Sequence, residues 1–216
     1  MMCDGLTLLS VTDDYVVCIK PAGLLSEMSA EPCVPAVLAD QIGGDIYTVH
    51  RLDRSVGGVM MYARTRAAAA NLSQQVADRT MRKRYLAVVH GRPELDSGEM
   101  CDHLFKDSRT NKSFVVKRPR KGTKEARLMY EVLATAERDG QTYSLVQICL
   151  ITGRSHQIRV QFSHRRMPLV GDGRYGSRDK CDIALWSHEV ECNFGGETVK
   201  FSAEPDYGHY PWNMFK

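Results

Sequence analysis

No apolar run in the 216-residue chain approaches the roughly 20 residues that a membrane-spanning helix needs. The start, Met1 to Gly5, carries neither a basic stretch nor a long apolar one, so no secretory leader is expected. Gly (17) and Pro (8) are scattered, which excludes collagen-like and low-complexity chains. The seven cysteines, at 3, 18, 33, 101, 149, 181 and 192, include no C-x-x-C pair, and Cys149 falls inside an apolar run. An odd count without close pairs fits neither a disulfide framework nor a zinc site. Buried thiols in a reducing cytoplasm are the expectation, and the sequons at Asn71 and Asn111 then carry no information. Walker A, H-E-x-x-H and G-x-S-x-G sequences are absent. The seven histidines show no ligand spacing, so no metal site is expected.

The composition itself is that of a soluble globular protein. Hydrophobic residues make up 43% of the chain, enough to bury a core. The formal net charge of +3 conceals segregation. Residues 1–50 hold one base, Lys20, against seven acids. Residues 79–127 hold fourteen Lys/Arg against six Asp/Glu, and residues 151–180 hold seven against two. From Trp186 onward acids again exceed bases by three. Either basic run alone reads as a solvated loop or strand face. Two separated runs between acidic flanks point toward a polyanion-binding face, and the small overall charge argues against a purely electrostatic binder.

Strands are expected at Tyr15–Lys20, Ile46–His50, Gly58–Ala63, Arg84–His90, Phe114–Lys117, Arg127–Thr135, Thr142–Ile151, Ala184–Cys192 and Thr198–Ser202. A turn around Asp139-Gly140 joins two of them. Three helices are expected. One spans Val34–Ile42 and ends at Gly43-Gly44. The second is capped by Thr65 and runs to about Asp78, and the third runs from near Ser155 to Arg165. Strands outnumber helices and often follow one another, so the chain reads as α+β, a single mixed, largely antiparallel sheet domain with flanking helices. No linker or repeat marks a boundary within 1–216.

Gly171-Asp172-Gly173-Arg174-Tyr175-Gly176 matches G-x-G-x-x-G by letter, but no amphipathic helix follows it, so it reads as a turn. Two constellations carry possible chemistry. In His50-Arg51-Leu52-Asp53, followed by Gly57-Gly58, an acid lies between two arginines that favour its carboxylate form. It reads either as a nucleophile or base or as a structural acid pinning a turn. In Thr152-Gly153-Arg154-Ser155-His156-Gln157-Ile158-Arg159, Ser155 is placed to cap a helix. Arg154, His156, Gln157 and Arg159 are placed to meet phosphate or the carboxylate, unless this is an ordinary helix start.

With these residues in view the chain resembles the RluA-type pseudouridine synthases, which isomerise uridine to pseudouridine in ribosomal or transfer RNA. The resemblance rests on Lys20-Pro21-Ala22-Gly23-Leu24, on His50 to Asp53, and on the approach Lys83-Arg84-Tyr85 with its following Val89-His90-Gly91. It rests further on Thr152 to Arg159 and on Met167 to Gly176, and it extends from about Asp14 to Phe215. It implies Asp53 as the catalytic aspartate, Arg159 as its ion-pair partner and Tyr85 as the ring stacked on the target base. Arg51 would fill the space that the flipped uridine leaves, and flipping is required because a stacked uracil cannot detach and re-attach inside a helix. Lys20, Lys83, Arg84, Arg154 and His156 are the expected further RNA contacts. RNA, as rRNA or tRNA, is the expected partner; no cofactor, no metal and no obligate protein partner are implied.

The family's D-x-x-T-S-G reads here Asp53-Arg54-Ser55-Val56-Gly57-Gly58, so a valine and a glycine replace two loop-supporting hydroxyls. An S4-type domain that many relatives carry is absent from this sequence, and RNA affinity is then expected from segments 79–127 and 151–180. An RNA-binding or RNA-chaperone module on the same fold, with little catalysis, is the alternative.

Overall fold

The computed structural model describes residues 5–216. Met1 to Asp4, including Cys3 and most of the stretch read for a leader, lie outside the described residues. In chain order the first elements are β1 (Thr7–Val11), β2 (Tyr15–Lys20), α1 (Val34–Ile42), β3 (Tyr47–Thr48), β4 (Gly57–Ala63) and α2 (Arg66–Ala77). The strands β5 (Arg82–His90), β6 (Ser97–Asp107), β7 (Lys112–Val116), β8 (Thr123–Arg138) and β9 (Gln141–Leu150) follow. α3 (Gln157–His164), β10 (Leu185–Phe194) and β11 (Glu197–Ser202) complete the set. Two compact units result. One takes the described residues up to Lys83 with Trp186–Pro205, and the other takes Arg84–Leu185 with Asp206–Lys216.

In the first unit β2 pairs antiparallel with β1 and with β4. All seven residues of β4 are buried, which accounts for its unbroken apolar run. β10 runs parallel to β4 at Trp186–Gly57 and Ser187–Gly58, then pairs antiparallel with β11. Against this sheet α2 buries Ala68 and Leu72, which join Tyr15, Val17, Val59, Met61 and Val190 in one core. α2 begins where the sequence places it, because Thr65 Oγ1 accepts from the Ala68 N–H at 3.1 Å.

The second unit is an antiparallel sheet in the order β5-β9-β8-β6-β7. Asp139 (φ 51°) and Gly140 (φ 71°) make the β8–β9 turn, a pair of left-handed residues that suits a two-residue hairpin. Leu86, Val88, Tyr143 and Leu145 pack with Val170 and Ala184 on one side. On the other side α3 brings Val160 against Leu104 and Ala126. Both units are therefore α+β with mainly antiparallel pairing.

Three local expectations need correction. The strand drawn over Ile46–His50 is only Tyr47–Thr48, because the His50 ring takes over the ladder: its Nε2 accepts the Met61 N–H at 3.1 Å. The helix expected from Ser155 begins at Gln157, with His156 as N-cap in the left-handed region (φ 54°) and no side-chain cap. β1 and β6 were not expected; both are partly exposed strands, β1 with no buried residue and β6 with only Met100 and Leu104 buried.

Candidate active site

The Asp53 loop joins β3 to β4, and the segment after β2 holds it in place. Lys20 is fully buried, and its Nζ donates to the carbonyls of Pro21 (3.0 Å), Arg54 (3.2 Å) and Val56 (2.7 Å). Ser26 Oγ donates to the Leu52 carbonyl at 2.9 Å and accepts from the Leu52 N–H at 3.1 Å. The Gly23 N–H donates to the Arg54 carbonyl at 2.7 Å, Arg54 Nε donates back to Gly23 O at 2.9 Å, and the Val56 N–H closes a turn on Asp53 O. The backbone on both sides of Asp53 is thus tied down by one lysine and one serine. Burial pushes the Lys20 ammonium down to about 8, and the Asp53 carboxylate pulls partly in the opposite direction.

The Val56-Gly57 departure has a packing reason. Val56 is buried, and a Cβ on Gly57 would lie 2.7 Å from the Trp186 ring. Gly58, at φ 119°, would put a Cβ 2.3 Å from the Ser187 carbonyl oxygen, so the parallel β4–β10 contact demands glycine there. His50 is buried and neutral, held at about 3 by loss of solvent and then by the nearby Lys83 ammonium. Since Nε2 accepts, the ring proton is on Nδ1, which has no hydrogen-bond partner among the described residues. Lys83 is half-buried, and burial lowers its pKa.

In the second unit the Arg159 guanidinium grips Asp172 with two bonds, Nε to Oδ2 at 2.7 Å and Nη2 to Oδ1 at 2.8 Å. Both side chains are almost wholly buried, so the parallel fork fixes the plane of the guanidinium. Its carbon lies 5.2 Å from the centre of the Tyr175 ring. The Tyr175 hydroxyl accepts from the Ser113 N–H and lies 2.9 Å from His156 Nδ1. Tyr85 is buried in β5 and stands in one cross-strand row with Ile148 and Tyr130. The Tyr130 ring meets Phe162 of α3 edge-on at 6.1 Å, so Tyr85 projects from the sheet face that α3 covers. Arg84, one residue earlier, projects from the opposite face.

Lys20, Arg51 and Asp53 therefore share one loop system in the first unit, while Tyr85 and Arg159 share one layer in the second. Lys20 is a correction: a fully buried ammonium spent on three carbonyls is a structural pin and offers no surface to a phosphate. Gln157 is another, since its amide is consumed locally. Its Oε1 accepts from Thr152 Oγ1 and the Arg154 N–H, and its Nε2 donates to Arg127 O. Arg154 Nε donates to the Glu125 carbonyl at 2.8 Å. Sequence reasoning quoted Asp172 and Tyr175 as motif letters without giving them a task. It passed over Ser26, Glu27 and Glu31, which sit directly after the lysine-proline element. Among the described residues no group of three or more His, Cys, Asp or Glu is placed to hold a metal ion, and no helix is long and apolar enough to cross a membrane.

Residues 14–164 match the family model of RNA pseudouridylate synthases. The chain is 36% identical over 176 residues to tRNA pseudouridine synthase C of Yersinia pestis, covering 76% of this chain and 68% of that one. It is 33% identical over 177 residues to the protein of that name from Salmonella typhi, covering 76% and 67%. The solved structure of human RNA pseudouridylate synthase domain containing 1 shares the fold. Its TM-score is 0.82 at 22% identity, over 97% of this chain and 86% of that one. These matches define the class, an enzyme that isomerises uridine within RNA. The chain belongs to the RNA pseudouridylate synthase family.

Proposed function

We propose that the two units together form one catalytic domain that converts uridine to pseudouridine in transfer RNA, in the cytoplasm, with Asp53 as the essential group. The tRNA assignment draws on the names of the bacterial relatives. The observation that carries the role of Asp53 is the pinning of its loop. A carboxylate that must meet a sugar or a base within a few tenths of an ångström needs a backbone that does not move. Lys20 and Ser26 supply that on either side of it.

In the reaction the C1′–N1 bond of the target uridine breaks, the base turns, and a C1′–C5 bond forms. A proton leaves C5 and N1 ends protonated. Asp53 starts the glycosidic cleavage as nucleophile or base, and Arg159, oriented by Asp172, serves as its cationic partner. Tyr85 stacks on the extruded base and Arg51 takes its place in the RNA. Extrusion costs a few kcal/mol, which favours uridines in loops. Arg84, Lys83, Arg154 and His156, with the basic segments 79–127 and 151–180, contact the backbone and make affinity salt-sensitive.

Release of tritium from bulk tRNA carrying 5-tritiated uridine tests the reading, since only bond formation at C5 expels that hydrogen. The wild-type enzyme is expected to release it without added metal or cofactor. Asp53→Asn is expected to lower the rate by at least about a thousandfold with tRNA binding within about twofold. Binding without release by the wild-type protein would favour an RNA-binding module on this fold.

A further inference from the structure

Seven acids stand against one base in the first 50 residues, and the isomerisation gives them no task. Two of them meet the arginines on either side of Asp53. Arg51 Nη1 lies 2.8 Å from Glu27 Oε2, and Arg54 Nη1 lies 2.7 Å from Glu31 Oε2. All four side chains are more than half exposed, at 64% and 57% in the first pair and 53% and 60% in the second. A pair this exposed contributes about 1 kcal/mol or less, so each is open to exchange with another anion.

The glutamates are nonetheless held in position. Ser26, next to Glu27, is fixed through its hydroxyl to Leu52, and its carbonyl accepts from Tyr62 Oη at 3.1 Å and Thr48 Oγ1 at 3.2 Å. The Leu25 N–H donates to Pro32 O and the Val34 N–H to Leu25 O, closing the segment into a loop. The Glu31 N–H donates to Ser29 Oγ within it. Arg54 is fixed as well, by Nε on Gly23 O. Two carboxylates are therefore presented to two guanidiniums at set positions.

We propose that Glu27 and Glu31 are built-in phosphate stand-ins that hold down the affinity of the Asp53 loop for RNA. A carboxylate offers a guanidinium the same kind of oxygen acceptor as a phosphodiester. Any RNA strand carries such phosphates, and two uncompensated arginines beside the catalytic acid would capture strands that hold no target. With the glutamates in place a strand gains on this loop only the difference between phosphate and carboxylate. Retention then depends on contacts elsewhere, and product is released more readily. The inference rests on the reading that Arg51 meets RNA, and it extends that role to Arg54 on the other side of Asp53.

The test compares the Glu27→Gln/Glu31→Gln variant with the wild type and with Asp40→Asn/Glu197→Gln, which removes two exposed acids of the same unit. The probe is an oligoadenylate of about 20 nucleotides, which contains no uridine. At about 0.1 M salt the first variant is expected to bind it about fivefold more tightly than the wild type, and the control within about twofold. The plot of log Kd against log salt is expected to steepen by about 1.4, as for two added phosphate contacts on a single strand. The gain is expected to vanish in an Arg51→Ala/Arg54→Ala background. In the Glu27→Gln/Glu31→Gln variant, with both arginines present, the single-turnover rate on bulk tRNA is expected to stay unchanged. Equal affinity in variant and control, or a gain that persists without the arginines, would overturn the inference. Tritium release by the wild type is scored separately, and its absence would overturn the reaction assignment instead.

Discussion

At the scale of single residues, His50 and Lys20 show how the loop before β4 uses ionisable groups as fixed parts. His50 titrates near 3 in the folded chain against 6.5 in an unfolded one. Between those values the unfolded chain binds a proton that the native one refuses, so stability falls as pH drops from 6.5 toward 3. Urea unfolding at pH 7 and at about pH 4 is expected to show a loss on the order of a few kcal/mol more for the wild type than for His50→Gln. Gln keeps an acceptor for the Met61 N–H and has no charge to gain. An identical acid loss in both proteins would remove His50 from the loop's electrostatics. Lys20 marks the limit of reading residues one at a time. A lysine beside a turn, in a chain with basic segments, reads as a phosphate contact, and nothing in Lys20-Pro21-Ala22 reveals that its ammonium is turned inward to three carbonyls. The buried Arg159–Asp172 fork was equally hidden, because its partners are 13 residues apart and meet only after α3 folds back.

At the scale of elements, the parallel pairing of β4 with β10 makes a contrast that can be measured. Gly57→Ser, which restores the residue usual in the family, sets a side chain against Trp186 and is expected to cost roughly 1–3 kcal/mol. Trp186→Leu should recover part of that cost. Gly58→Ala meets backbone at Ser187 and a positive φ as well, so it is expected to cost more, and Trp186→Leu should recover none of it. Thermal unfolding of the wild type, the three single variants and the two double variants checks both statements; relief of Gly58→Ala by Trp186→Leu would contradict the packing account. The elements most legible in the sequence were those with local signals. Thr65 before an alanine-rich face marked α2, Pro35 with Gly43-Gly44 bounded α1, and Asp139-Gly140 marked the β8–β9 turn. β6 was missed because it buries only Met100 and Leu104 of its eleven residues, four positions apart among polar and charged neighbours, so its apolar signal is sparse. β1 was missed because it lies at the end of the strand order and leaves Leu9 and Val11 exposed. The start of α3 was misplaced by two residues, since Gln157, inside the helix, binds the Arg154 N–H in place of a capping serine.

At the scale of the whole molecule, charge divides along the units. Among the described residues the first holds nine Lys/Arg against twelve Asp/Glu, the second twenty against thirteen. The residue assigned the chemistry, Asp53, lies in the acidic unit, and most bases available for the RNA backbone lie in the other. That division suits an enzyme whose affinity comes from one set of surfaces and whose selectivity depends on keeping the catalytic loop from gripping every strand it meets. The motifs around Asp53, Tyr85 and Arg159 were readable as an ordered set along the chain. The devices that orient them were not, because each joins residues distant in sequence. The central claim is that this chain makes pseudouridine through Asp53. The most direct measurement is a map of pseudouridine at single-nucleotide resolution in total RNA, from cells with the intact gene and from cells carrying Asp53→Ala at equal protein level. The loss of one or a few sites, in tRNA, is the expected result. An unchanged map from a variant that still binds RNA would contradict it.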